Sequence, residues 1–313
     1  MIEQLGLIGC GLMGGSFALA LKRAKLVKRV VGYSKSPSTT ERARQLGVID
    51  VAAPSALLAM SGADLVLIAV PVGASEQTFK AIRHGINDKM FVMDVGSTKG
   101  DVIEAARRGL QDQIGAFVPA HPIAGKEVAG VEHADADLYA GRQVVLTPVK
   151  ATLRSNVQRA SKVWTAIGAK VVTMTPEAHD SAFAAVSHLP HLLAFAFINA
   201  MTAHPQGSRF LELAGPGFRD FTRIAASDPT MWRDIFVANK DAVLEMLGTY
   251  RGNAMLGVPT MLVAMLEHPT FATTDLSSVK AICSGGSTVP ATLVRLLEEK
   301  LGAPFTIVFG QTE

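Results

Sequence analysis

The chain has 313 residues, 49% of them hydrophobic against 18% charged, with a formal net charge of +3 at neutral pH. So large an apolar share supplies a buried core and excludes intrinsic disorder, and a charge balance spread along the chain, without basic or acidic runs, gives no support to a nucleic-acid or membrane-surface role. Two cysteines, Cys10 and Cys283, stand far apart without CxxC or Cys/His spacing, which argues against a disulfide scaffold and a structural zinc site. No metal is expected, and the chain reads as cytoplasmic.

Met1 to Ile8 is a short apolar run without a basic flank or a small-residue cleavage site, so it is read as a strand and not as a signal peptide. Further apolar runs follow at Val30 to Tyr33, Leu65 to Val70, Met90 to Val95, Val144 to Thr147 and Lys170 to Val172. Between them, helix-like spacing marks Gly14 to Ala24, Ser75 to His84, Lys99 to Arg108 and Leu153 to Ile167. This rhythm predicts a mostly parallel sheet with helices on both faces, a Rossmann-like α/β dinucleotide-binding domain over 1–173. From Pro176 the pattern turns helical through Ala178 to Ala203, Phe210 to Leu213, Asp220 to Ala226 and Pro229 to Leu247, predicting an all-helical domain over 174–252. His188 to Ala203 is apolar, but Pro190, His191 and Asn199 interrupt it and it is read as a buried helix, not a membrane span. Arg251-Gly252-Asn253 then breaks the helix. An atypical α/β tail over 253–313 follows, with a strand at Ala281 to Cys283, a Ser284-Gly285-Gly286-Ser287 turn, a helix from Ala291 to Lys300 and a strand from Thr306 to Phe309.

The first strand feeds into Gly9-Cys10-Gly11-Leu12-Met13-Gly14, a GxGxxG between strand and helix. In that setting Gly9 makes the tight turn, Gly11 lets the backbone approach a pyrophosphate, and Gly14 lets helix and strand pack closely. Leu12 and Met13 within the loop, and Val70 and Pro71 at the end of the third run, are assigned to the same cofactor. An acidic residue that would accept from a ribose 2′-hydroxyl is missing after the second strand, where Ser34, Lys35 and Ser36 stand instead. Their donors and positive charge suit a 2′-phosphate, so NADP is expected to be preferred with NAD possible; Lys35 also reads as an ordinary solvated loop lysine.

Four segments carry polar residues that a core would not require: Asp94-Val95-Gly96-Ser97-Thr98-Lys99; His121-Pro122-Ile123-Ala124-Gly125-Lys126-Glu127; Ser187-His188-Leu189-Pro190-His191; and Phe221-Thr222-Arg223-Ile224-Ala225 with Met231-Trp232-Arg233-Asp234. On these motifs the sequence resembles the prephenate and arogenate dehydrogenase family of tyrosine biosynthesis, from about residue 4 to about residue 251. The resemblance implies oxidative decarboxylation of prephenate to 4-hydroxyphenylpyruvate with hydride transfer to NAD(P), in a homodimer contacting through the helical domain. It implies His121 as the group accepting or polarising the substrate hydroxyl proton, Ser97 sharing that contact, Arg223 as the carboxylate anchor, His191 and Trp232 as pocket residues, and Glu127 as a gate. Arogenate or dual cyclohexadienyl specificity stays open, as does a catalytically inactive dinucleotide-binding or acyl-ligase-derived fusion protein. Each residue also has a plainer reading: His121 as a turn residue, His188 as a satisfied core histidine, Trp232 as packing, Arg223 paired with Asp220 or Asp228, Glu127 as a loop carboxylate.

From about Met255 to Glu313 the chain resembles instead an internal fragment of an adenylate-forming acyl-CoA ligase, without that family's phosphate loop and lysine. Removed from a larger domain, Ile282, Val289, Leu293, Leu296 and Val308 would lack burial partners. The tail is therefore expected to be loosely ordered or attached opportunistically to the helical domain, and to contribute nothing to catalysis.

Overall fold

β1 (Ile2–Ile8) is buried along most of its length, as befits a strand covered on both faces by helices. With β2 (Val27–Tyr33), β3 (Val51–Ala52), β4 (Leu65–Ile68), β5 (Phe91–Asp94) and β6 (Phe117–Val118) it forms a six-stranded sheet in the order β3-β2-β1-β4-β5-β6. Every pairing in this sheet is parallel. The order reverses between β1 and β4, and the crevice at such a switch point is where open α/β sheets bind ligands. The computed structural model describes residues 1–126, 128–250, 254–257, 259–285 and 289–308, and the chain divides into two units, Met1–Asp180 and Ser181–Glu313.

One expectation about this first unit needs correction. The runs at 144–147 and 170–172 do not extend the main sheet; β7 (Ala120–Pro122), β8 (Gln143–Leu146) and β9 (Lys170–Thr173) make a separate three-stranded sheet in which β7 runs antiparallel to β8. Pro119, which has no N–H to give a ladder, separates β6 from β7, and its carbonyl accepts from Thr147 N–H at 3.1 Å, one position beyond the Ala120–Leu146 pair. Between the layers Phe17, Tyr139 and Trp164 pack ring on ring, Phe17 and Trp164 at 4.8 Å and Tyr139 and Trp164 at 5.1 Å.

In the second unit two predicted helices are interrupted. The run expected as one helix from Ala178 holds a π-helical segment, Ala184–His188, just before Leu189–Ala203. Pro190 lacks the N–H that an α-helix would direct to Val186 and its ring crowds that carbonyl, so a local widening of the turn accommodates it. The run expected from Pro229 to Leu247 breaks at Asn239 into Pro229–Ala238 and Lys240–Tyr250. Asn239 is buried, and its side-chain amide lies 2.9 Å from His188 Nδ1. By length and composition one helix among the described residues, Pro176–Ala203 with mean hydropathy 1.5, could cross a membrane; the run expected to be a buried helix is buried over only a minor part, with Leu193 and Phe197 exposed.

In the tail, the described residues form a small sheet with a buried cluster of its own. β10 (Ala254–Gly257), β11 (Ala281–Gly285) and β12 (Phe305–Val308) form a parallel sheet in chain order, flanked by helices Pro259–Leu266 and Ala291–Leu301. Ile282 and Leu297 are fully buried, Leu293 nearly so, and Val289 packs against them; Leu296 stays exposed. The burial partners come from within the segment and from Leu244 on the preceding helix, which completes the same cluster. The predicted helix break at 251–253, Gly286 and Ser287 of the predicted turn, the side chain of Val308 and residues 309–313 lie outside the described residues.

Candidate functional site

The glycine loop leaves β1 and enters the helix Leu12–Arg23. Gly9 has φ +99°, and a Cβ there would meet Ala69 O at 2.2 Å; a Cβ on Gly14 would meet Gly9 O at 2.2 Å. Both positions are closed to any side chain. Gly11 differs: nothing lies within 4 Å of the Cβ it lacks, so its backbone faces open space. The helix that follows has no side-chain N-cap and no acidic residue in its first turn. Its first N–H groups and the positive end of its dipole remain available to an anion. This cradle fits the pyrophosphate of a dinucleotide. Leu12 is buried and Met13 half-buried, with the Met13 carbonyl accepting from Tyr139 OH at 2.6 Å. Val70, half-buried, and Pro71, exposed, follow β4 beside the switch point.

Ser34 closes the other side of the loop. Its Oγ accepts from Cys10 N–H at 2.8 Å, while its own N–H donates to Thr40 Oγ1 at 2.9 Å. Burial pushes the Cys10 thiol up to about 11, against opposing hydrogen bonds from Ser34 and Tyr33, so it stays neutral. Lys35 is exposed, and Ser36 stands ahead of the helix Pro37–Gln45 with its hydroxyl 2.8 Å from Ser38 Oγ.

A second cluster forms where β5 and β7 meet the loop to helix Gly100–Leu110. Lys99 is wholly buried and pairs with Asp94. Lys99 Nζ also donates to Ala120 O at 2.8 Å, and Asp94 Oδ1 accepts from Ala120 N–H at 2.9 Å. The pair therefore clamps the residue next to His121. His121, on β7, is buried rather than a surface turn residue, and its Nδ1 lies 2.8 Å from His179 Nε2. His179 Nδ1 in turn lies 2.7 Å from Asp180 Oδ1. Burial, reinforced by the Lys99 charge, lowers the His179 pKa and keeps the ring neutral. Burial acts to raise the Asp180 pKa, but the His179 hydrogen bond and the N–H groups of Lys99 and Gly100 outweigh it and hold the carboxyl ionised. Ser97 is half-buried on the loop leaving β5.

In the second unit, His191 and Trp232 stack with ring centroids 3.6 Å apart and planes 19° from parallel. His191 Nδ1 donates to Ser187 O at 2.8 Å. Burial lowers its pKa, helped by the nearby Arg223 charge. Trp232 is buried as its packing reading requires, yet its Nε1 has no hydrogen-bond partner among the described residues. His188 is 1% exposed and bonded to Asn239, as its core reading has it. Arg223 is exposed at the head of a short 3₁₀ turn, Arg223–Ala226. Asp228, one of its suggested partners, caps the helix Pro229–Ala238 by accepting from Met231 N–H at 2.7 Å. Glu127 lies outside the described residues. Sequence reasoning missed His179 and Asp180 altogether; the available signal was a His-Asp pair just inside a helix start after Pro176, too common a pattern to single out.

Comparison with known proteins adds a family context. Residues 17–173 match the model of the prephenate dehydrogenase nucleotide-binding domain, and residues 175–258 that of the prephenate dehydrogenase dimerization domain. Residues 230–313 match a model of AMP-binding enzymes. The chain is 37% identical over 250 residues to the prephenate dehydrogenase of Bacillus subtilis, covering 78% of this chain and 66% of that one, so it spans about two thirds of that relative's length. It is 34% identical over 249 residues to the cyclohexadienyl dehydrogenase of Zymomonas mobilis, covering 79% of this chain and 84% of that one. Among solved structures, the prephenate dehydrogenase of A. aeolicus in complex with hydroxyphenyl propionate and NAD+ superposes with a TM-score of 0.73 at 38% identity, covering 80% of this chain and 87% of that chain.

Proposed function

The chain belongs to the prephenate dehydrogenase family, and from that premise we propose that it oxidises and decarboxylates prephenate to 4-hydroxyphenylpyruvate. The observation that carries the reading is a buried imidazole, His121, in the same unit as an open glycine cradle for a dinucleotide. The chemistry a bound NAD(P) would supply is a hydride acceptor for the ring carbon bearing the hydroxyl. His121 accepts the hydroxyl proton as the hydride leaves, with Ser97 sharing that contact. Loss of carbon dioxide then returns an electron pair to the ring, and aromatisation drives the sequence forward. Arg223 pairs with a substrate carboxylate through its guanidinium fork. His191 and Trp232 line the substrate, and Glu127 acts as a gate.

Gly9, Gly11, Leu12, Met13, Gly14, Val70 and Pro71 hold the dinucleotide. Ser34, Lys35 and Ser36 favour a 2′-phosphate, which makes NADP the preferred cofactor and NAD the alternative. The protein works as a cytoplasmic homodimer through residues matched to the dimerization model. Its segments are 1–173, 174–252 and 253–313, the last contributing nothing to the chemistry. The 34% identity to a cyclohexadienyl dehydrogenase, with 84% of that relative covered, favours a second reading in which arogenate is also accepted.

Purified protein incubated with prephenate or arogenate, each with NAD and NADP, should generate the reduced-nicotinamide absorbance. His121→Ala should lower kcat by about 10²–10⁴ with dinucleotide affinity unchanged. Absence of turnover in all four combinations, or an alanine variant with near wild-type kcat, would overturn the reading.

A further inference from the structure

Resting on the reading of His121 as proton acceptor, we propose that His179 and Asp180 are positioning residues that hold His121 in the tautomer with its proton on Nδ1 and its lone pair on Nε2. The order of the hydrogen bonds requires it. Asp180 Oδ1 accepts from Lys99 N–H at 2.9 Å, and Oδ2 from Gly100 N–H at 2.7 Å, at the N-terminal end of helix Gly100–Leu110. Peptide N–H groups and a helix dipole both favour the ionised carboxylate there.

A carboxylate only accepts hydrogen bonds, so His179 Nδ1, 2.7 Å from Oδ1, must carry a proton. A neutral imidazole has one ring proton, and the neighbouring Lys99 ammonium disfavours a second. His179 Nε2 is therefore an acceptor, and the atom facing it at 2.8 Å, His121 Nδ1, must be the donor. The lone pair of His121 is thereby fixed on Nε2. The ring planes of the two histidines lie 65° apart with centroids at 5.0 Å, so the two rings meet edgewise.

During the proposed oxidation the hydroxyl proton moves to His121 Nε2 as the hydride departs and the ring oxygen becomes a carbonyl. The Nδ1 proton stays where it was, and its bond to His179 becomes charge-assisted, with Asp180 supplying the compensating negative charge one ring further away. When carbon dioxide leaves, the electron pair it releases restores the oxygen as a phenolate, which takes the proton back from Nε2. No proton travels to Asp180, and His121 ends in its starting tautomer.

The test separates this proposal from the reaction it rests on. In protein labelled with ¹⁵N-histidine, the His121 ring, assigned by its absence from the His121→Ala spectrum, should show a protonated Nδ1 and an unprotonated Nε2 in the absence of substrate. His179→Leu should lower kcat about 10- to 100-fold with KM within about threefold, the size of effect expected from losing an outer hydrogen-bond partner that sets a tautomer. His179→Gln, whose side-chain carbonyl can accept from His121 Nδ1–H, should recover most of that loss. A wild-type spectrum with the His121 proton on Nε2 overturns the proposal even if the leucine variant fails to fold. A folded leucine variant with kcat within twofold of wild type also overturns it. If prephenate is not turned over at all, the nitrogen spectrum still decides the tautomer.

Discussion

Arg223 and Ser34 show how differently single residues declare themselves. Arg223 is exposed and is proposed to anchor a substrate carboxylate, so Arg223→Ala should raise KM for prephenate by about 10- to 150-fold. That is the loss of a charge-assisted pair of about 1.5–3 kcal/mol, and steady-state kinetics with cofactor held saturating would measure it. An unchanged KM would return Arg223 to a surface role. At Ser34 the hydroxyl accepts from the Cys10 N–H, and an aspartate carboxylate could keep that bond while repelling a 2′-phosphate. Ser34→Asp should therefore shift the ratio of kcat/KM from NADP toward NAD by at least about tenfold. No shift would mean that this position does not read the ribose. The glycine loop and the absent acid were legible in sequence because they are local: each role is set by neighbours a few positions away. His179 was not, since its meaning comes from His121 across a gap of 58 residues, which spacing alone cannot bridge.

Elements were legible where periodicity is strong and lost where one residue outweighs the pattern. The alternation of apolar runs and helical spacing located β1, β2, β4 and β5, but very short strands such as β3, β6 and β7 offered too few residues for a period. Pro190 and Asn239 each interrupt a run of helix-compatible residues for reasons that lie in hydrogen bonding and not in hydrophobicity. β7 owes its position to the buried pair Asp94 and Lys99, which holds Ala120 by both its N–H and its carbonyl. Burial lowers the Lys99 pKa and Asp94 offsets part of that shift, so removing either partner strands the other. Lys99→Met should destabilise the protein by about 3–5 kcal/mol in chemical denaturation. A loss below about 1 kcal/mol would show that the pair is not what keeps this sheet in place.

Across the whole molecule, two histidines, His179 buried and His191 half-buried, make stability depend on mild acid. His179 in the first unit and His191 in the second both have pKa values held below the unfolded value of 6.5, chiefly by burial. Each folded unit therefore binds fewer protons than its unfolded chain in the interval just below pH 6.5, so stability is full above that pH and falls as pH drops through it. Asp180, whose pKa is also lowered, adds a loss at lower pH, starting below its unfolded value of 3.8. Denaturation midpoints measured from pH 7.5 to 5 should decline steadily once pH passes below about 6.5; a flat profile would mean that both rings are solvated when folded. In the tail the strand from Ala281, the helix from Ala291 and the strand near Thr306 were legible, whereas β10 and the helix Pro259–Leu266 were not, because the resemblance to part of a larger domain said nothing about the small sheet the segment makes here. Within the second unit that sheet and the helix Leu189–Ala203 border an apolar cavity of about 300 Å³, with Leu192, Phe197 and Phe236 on one side and Met255, Leu262 and Met265 on the other. Space of that size and character suits the fused rings of the environment-sensitive dyes used to follow heat denaturation. The native protein would then glow before it melts, and a dye-based thermogram would start from a bright baseline that could be mistaken for unfolding, whereas intrinsic tryptophan emission would not share that fault.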